Sequence, residues 1–381
     1  MINRRSLALL TLGGVSLLAG LTGALVLLGL GMPRNAGHLA AAHGLLMALG
    51  FLGTMIALER AVALGATWAY LAPLAAGLAA ISLILGAPNQ LSGLLFLVGG
   101  LTFVAMYVAF DRIEVALHTR VQAAGAVAWP VASLLWLTGQ PVSSAIVPWL
   151  AAFLVLTITG ERLELSRLGQ LASGARWSFI GAAGLFGAGV ALTLIIPDAG
   201  MRLAGVGLVA LAVWLGSHDL ARRTVRMGGL TRFMALCLLI GYGWLAGAGI
   251  IWLGFGSSAG GATYDAMLHT LFLGFVMSMV FGHAPIIVPA VLRVPLPYQR
   301  RFYGHLALLH AGLLLRIVGG DLLGMQPLWQ AGGVLNVLAL LIFVASSAGA
   351  VIQGLAARRP PSSERVARKM RVMQRETVRI D

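Results

Sequence analysis

Apolar stretches of eighteen residues or more recur from one end of the chain to the other, broken only by short polar or basic turns. A run of that length is what a helix needs to cross a hydrocarbon layer, so the pattern predicts an all-α polytopic membrane protein. Twelve spans are expected, near 6–32, 37–60, 66–86, 90–110, 122–139, 144–163, 177–196, 201–219, 231–255, 263–291, 302–319 and 327–355. Together they form one transmembrane domain over residues 1–357, followed by a basic tail over 358–381. The first span imitates a signal peptide, but its apolar part is about twice the usual length and a second span follows at once, so it reads as a retained helix.

Composition agrees with this pattern. Of the 381 residues, 59% are hydrophobic and 10% charged, far from the balance of a water-soluble domain. The net charge of +14 is a matter of topology. Of the 26 lysines and arginines, all but Arg34, Arg202 and Arg316 fall on the side of the amino terminus when twelve spans are threaded. That is the positive-inside distribution, and it sets both termini on the cytoplasmic side of the membrane, with lipid and not nucleic acid as the partner of the basic residues. The single cysteine, Cys237, excludes an internal disulfide and any multi-cysteine metal site.

Internal similarity suggests a repeat. "GFLGTMIALER" (Gly50–Arg60) in span two aligns without gaps to "AFLVLTITGER" (Ala152–Arg162) in span six, and "GFVMSMVFGH" (Gly274–His283) in span ten has the same start. "LLAG" at Leu17 matches "WLAG" at Trp244 with an offset of 227, close to the 226 between His43 and His269. Spans one–two, five–six and nine–ten therefore read as three copies of a four-helix unit.

The chemistry resides in histidines. His118 and His218 fall near loops and read as surface residues, and His38 as interfacial. His43 and His269 each lie about six residues into an inward-running span, or ~9 Å deep, which brings both rings to one depth. Neutral imidazoles facing each other across a helix bundle are an axial pair for haem iron, and the nearby glycines leave room for a flat macrocycle. Arg316 and Arg34 are the candidate partners of anionic propionates. His283, ~21 Å further along span ten and about 40° off the same face, is expected to meet His305 or His310 of span eleven. That would form a second metal or haem site, or a proton path. Glu59-Arg60 and Glu161-Arg162 close spans two and six, as an interfacial ion pair or a proton entry point. Asp265 stands one turn before His269.

Twelve helices with histidines on the second and tenth resemble the catalytic subunit of the heme-copper oxidase superfamily. That likeness implies a low-spin haem held by His43 and His269. The family's copper ligands on helices six and seven, and its His-x-His pair on helix ten, have no counterpart here. The segments "HTLFLGFVMSMVFGH" and "HGLLMALGFLG" are similar to those of the NnrS family, twelve-helix bacterial proteins that bind haem and copper and respond to nitric oxide; the Thr-Gly-Arg expected after the second histidine reads Ala-Pro-Ile. This resemblance implies haem b as cofactor, copper as a second metal, nitric oxide as a small gaseous ligand and an oxidoreductase role, with His43, His269, His283, His305 and His310 as metal ligands. Two other readings remain open. One is a transmembrane electron carrier with two b-type haems. The other is a proton-coupled secondary transporter, for which Pro285 and Pro289 mark the one visible helix interruption.

Overall fold

The computed structural model describes residues 3–31, 36–166 and 172–357; Arg34 and the basic tail from residue 358 lie outside them. Among the described residues every long element is helical. Eleven helices are long and apolar enough to cross a membrane: α1 (Arg4–Leu27), α2 (Gly37–Leu64), α3 (Thr67–Ile84), α4 (Asn89–Ile113), α6 (Val142–Ser166), α7 (Ser173–Leu192), α8 (Pro197–His218), α9 (Gly229–Phe255), α10 (Gly261–Leu292), α11 (Phe302–Leu322) and α12 (Gln326–Ala357). A further 21-residue helix, α5 (Leu117–Leu137), occupies the fifth expected position. It is less apolar because it opens on His118, Arg120 and Gln122.

Consecutive helices pack as antiparallel neighbours, while α2, α6 and α10 meet in the interior. α6 and α10 are the most enclosed of these eleven helices, with 72% and 61% of their most apolar stretches buried, while α2, α3 and α8 are each 56% buried. Buried alanines, leucines and aromatic rings fill the interior, among them Trp129, Phe153, Phe275 and Phe281. Small residues bring backbones close. A Cβ on Gly23 of α1 would fall 2.3 Å from the Leu39 carbonyl oxygen of α2, so only glycine permits that approach.

Two local features depart from the sequence reading. α10 continues through Pro285 and Pro289 and ends at Arg293, which adopts φ 58°. The helix thus runs unbroken through both prolines, as spans embedded among other helices can, and no interruption forms there. The second feature is π-helical winding, over Leu46–Gly53 in α2, Val142–Ile146 in α6, Thr270–Met277 in α10 and Leu315–Leu322 in α11. Two of these segments begin directly below His43 and His269. The wider winding changes the rotation of the helix under each ring, and such segments cluster at functional positions.

Candidate functional site

A cavity of about 670 Å³ opens between α1, α2, α10, α11 and α12, with Trp136 of α5 and Val142, Val147 and Leu150 of α6 closing one side, toward the face opposite the amino terminus. Its walls are mostly apolar, with Met47, Trp136, Phe272 and Leu340 among them, and its polar residues include His43, His269, Asp265, Arg316, Asp321 and Asn336, with Tyr264 and Gln326 beside them. A volume of this size, apolar with a few convergent polar groups, has the character of a cofactor or small-molecule site.

The histidines are held in one chemical state by the backbone. His43 Nδ1 lies 2.7 Å from the Gly20 carbonyl oxygen of α1, and His269 Nδ1 lies 2.8 Å from the Asp265 carbonyl oxygen one turn back. A carbonyl only accepts, so each ring donates from Nδ1 and keeps its lone pair on Nε2. No described residue partners either Nε2, and both rings line the cavity. Metal-ligating histidines are commonly prepared in this way. Among the described residues no group of three or more histidines, cysteines, aspartates or glutamates gathers around one point. Two prepared imidazoles without further ligands suit a cofactor that supplies its own equatorial ligands better than a bare ion, which needs about four protein or water ligands.

Asp265 organises the mouth. Its Oδ2 accepts from Arg316 Nε at 2.7 Å and Trp329 Nε1 at 3.0 Å, and its Oδ1 accepts from Arg316 Nη2 at 2.6 Å. The same Oδ1 is 3.2 Å from His269 Nδ1. The Arg316 guanidinium also lies over the Trp329 ring, 5.1 Å from its centroid. Arg316 therefore reaches the cavity as expected, but its Nε and one Nη2 hydrogen are committed to Asp265, which leaves Nη1 and the second Nη2 hydrogen toward an anionic ligand. Asp321 and Trp329, absent from the sequence reading, complete the mouth; the Asp321 carboxyl stands beside that of Asp265, and its buried Oδ2 has no hydrogen-bond partner among the described residues. An acid within a span was the available signal for Asp321.

The second site does not assemble. His283 donates from Nδ1 to the Met279 carbonyl at 2.7 Å, and its Nε2 accepts from Arg162 Nη1 at 3.2 Å. With its lone pair occupied by a guanidinium, His283 is a hydrogen-bond acceptor and not a free ligand. Nor does it meet His305, which packs against Phe281, at 4.7 Å between ring centroids, together with Phe302 and Phe343. Phe281 and His283 are two residues apart on one helix, about 200° around it, so His305 and His283 lie on opposite sides of α10. His310 accepts at Nδ1 from Trp244 Nε1, 2.9 Å away. Its proton is therefore on Nε2, a buried donor that no described residue accepts from.

Arg162 belongs to a buried network nearer the amino-terminal face. Its Nε and Nη2 donate to the Asp219 carboxylate at 2.8 and 3.2 Å, and Tyr242 donates to Asp219 Oδ2 at 2.9 Å. Asp219 and Tyr242 were not singled out in the sequence, because their spacing places them in different helices. Close by, Arg60 of α2 bridges to Glu161 of α6 and lies 3.5 Å from Glu59, a cross-helix ion pair of the kind the sequence suggested. His118 proves buried, 3.8 Å from Glu164, because α5 turns its first residues toward α6; His218 is exposed as expected. His38 bonds the Ile84 carbonyl.

Fold and site thus define an all-helical protein of membrane-spanning character with a two-histidine cavity. The chain belongs to the family described as a domain of unknown function, DUF8744, which matches residues 5–352. No curated protein matches the chain.

Proposed function

We propose that this protein is a haem-binding polytopic membrane protein in which His43 and His269 supply the two axial ligands of one b-type haem. The observation that carries the reading is the shared state of the two rings: Nδ1 tied to a backbone carbonyl, Nε2 with no partner among the described residues, and both rings lining the same apolar cavity. A haem bound there supplies one-electron redox chemistry, and two axial imidazoles suit it to passing electrons. The chain's own part is to fix both imidazoles, exclude water with Leu, Met and Phe side chains, and balance charge at the mouth through Arg316 and Asp265. A second haem or a copper ion gains no support from the placement of His283, His305 and His310. Nitric oxide, implied by the resemblance alone, is the first small ligand to titrate against the reduced protein.

The same reading takes the twelve helices as three four-helix units with α2, α6 and α10 inside, and sets the protein in a bacterial inner membrane with both termini cytoplasmic. The repeat rests on the aligned segments and the topology on the distribution of arginines.

The test is an absorption spectrum of detergent-purified protein, oxidised and dithionite-reduced, for the wild type, His43→Ala and His269→Ala. Sharp reduced α and β bands that are lost in both variants support the reading. Protein made in haem-replete cells without a Soret band sinks it, and favours a proton-coupled carrier whose acidic cavity mouth, Asp265 and Asp321, is the coupling site.

A further inference from the structure

A second cavity, of about 570 Å³, opens on the amino-terminal face between the end of α8 and the short helix Ala221–Thr224. Arg222, Arg223, Arg226, His218 and Ser166 wall it, and Asp219 forms its floor. The charge there is unbalanced. Asp219 is the one acid in the lining, and both its oxygens are already engaged: by Arg162, by Tyr242, and by the Ala221 backbone N–H at 2.7 Å. Asp219 therefore neutralises the buried Arg162 and leaves the three wall arginines uncompensated. No described carboxylate pairs with any of the three.

The wall is partly ordered. Arg222 Nη1 donates to the Ser217 carbonyl at 2.7 Å, and the His218 ring stacks on Trp214 at 4.9 Å between centroids while its Nδ1 donates to the Trp214 carbonyl. Three guanidinium-bearing side chains lining one cavity with no described carboxylate to pair them match a tetrahedral oxyanion, since a guanidinium fork spans two phosphate oxygens. Beside the cavity, Val213 lies one helical turn from Ser217 on the same face of α8 and is 61% exposed. An apolar side chain there suits an acyl chain running toward the bilayer midplane.

We propose that this cavity seats the phosphate of an anionic phospholipid headgroup in the leaflet on the amino-terminal side. A phosphate there would stand above Asp219, whose partner Arg162 holds His283, so occupancy would bear on a hydrogen-bonded chain that reaches α10.

The experiment uses the full chain in detergent, with native mass spectrometry during titration by phosphatidylglycerol or phosphatidylcholine. The wild type should retain phosphatidylglycerol selectively. Arg222→Gln/Arg223→Gln/Arg226→Gln should lose on the order of a hundredfold in that selectivity, because each cation near the surface contributes separately. The triple lysine variant should keep most of it, and Arg300→Gln/Arg301→Gln, in another basic loop, should match the wild type. All these side chains are exposed, and unchanged thermal midpoints will verify folding. The proposal is overturned if the triple glutamine variant keeps wild-type selectivity, or if inorganic phosphate at the same concentration displaces the lipid, which would give the cavity to a soluble anion.

Discussion

Arg162 of α6 donates to His283 Nε2 of α10 at 3.2 Å, and this bond separates the two histidines of one helix into different roles. His269 and His283 each give Nδ1–H to the carbonyl four residues earlier. They differ in what meets the other nitrogen. For His283 it is a guanidinium locked to Asp219; for His269 it is the cavity.

Replacement of His283 should therefore leave the haem in place. His283→Ala should keep the wild-type reduced α band and haem stoichiometry, whereas His269→Ala should lose both. A pyridine haemochrome assay with matched spectra reads this directly, and loss of half the haem in His283→Ala would revive a two-haem carrier.

The Arg162–Asp219 pair should be strongly coupled. Arg162 is 5% exposed and Asp219 3%, so removing one partner leaves a buried, unpaired charge. Asp219→Ala alone should destabilise the protein by about 3–5 kcal/mol. Asp219→Ala with Arg162→Met should recover a large part of that loss. Thermal or denaturant unfolding of the two singles and the double in detergent closes the cycle, and additivity would refute the coupling.

Asp265→Asn keeps the shape of the mouth but removes the charge that Arg316 and His269 share. The expected outcome is faster haem release, with a stability loss of about 1.5–3 kcal/mol for the weakened charged hydrogen bonds. Haem transfer to apomyoglobin supplies the rate. An unchanged rate would mean that Asp265 does not orient His269.

Two glycines of α1 offer a matched comparison. Gly23 lies against the Leu39 backbone, while a Cβ on Gly14 would meet nothing within 4 Å. Gly23→Ala should push α1 from α2, lengthen the bond from His43 to the Gly20 carbonyl, and cost about 1–3 kcal/mol together with haem affinity. Gly14→Ala should stay within about 0.5 kcal/mol of the wild type. Unfolding midpoints and haem content of the two variants provide the measurement.

Much of the architecture was legible before any coordinates. Hydrophobic length reports on the solvent a helix can tolerate, and among the described residues eleven of the expected spans are helices long and apolar enough to cross a membrane, with a less apolar helix, Leu117–Leu137, at the remaining position. Two of the aligned segments, in spans six and ten, belong to the most enclosed helices, because small and apolar residues on all sides are what burial requires; span two is no more buried than spans three and eight. His43 and His269 were found at one depth because rise per residue converts position into depth.

The sequence did not contain the rotation of one helix against another. Depth alone made His283 and His305 partners; the 200° between Phe281 and His283 put them on opposite sides of α10. Burial of His118, the capture of Arg316 by Asp265 and the closing of Arg162 on Asp219 all depend on which faces meet across dozens of residues of chain. The π-helical turns below His43 and His269 leave no mark on hydrophobic periodicity, yet they set the direction of everything that follows. The sequence by itself determined the solvent each segment lives in and the depth of its polar groups. Only the tertiary structure decided which of them touch, because contact depends on helix rotation and neighbour identity, and neither is written in a one-dimensional pattern.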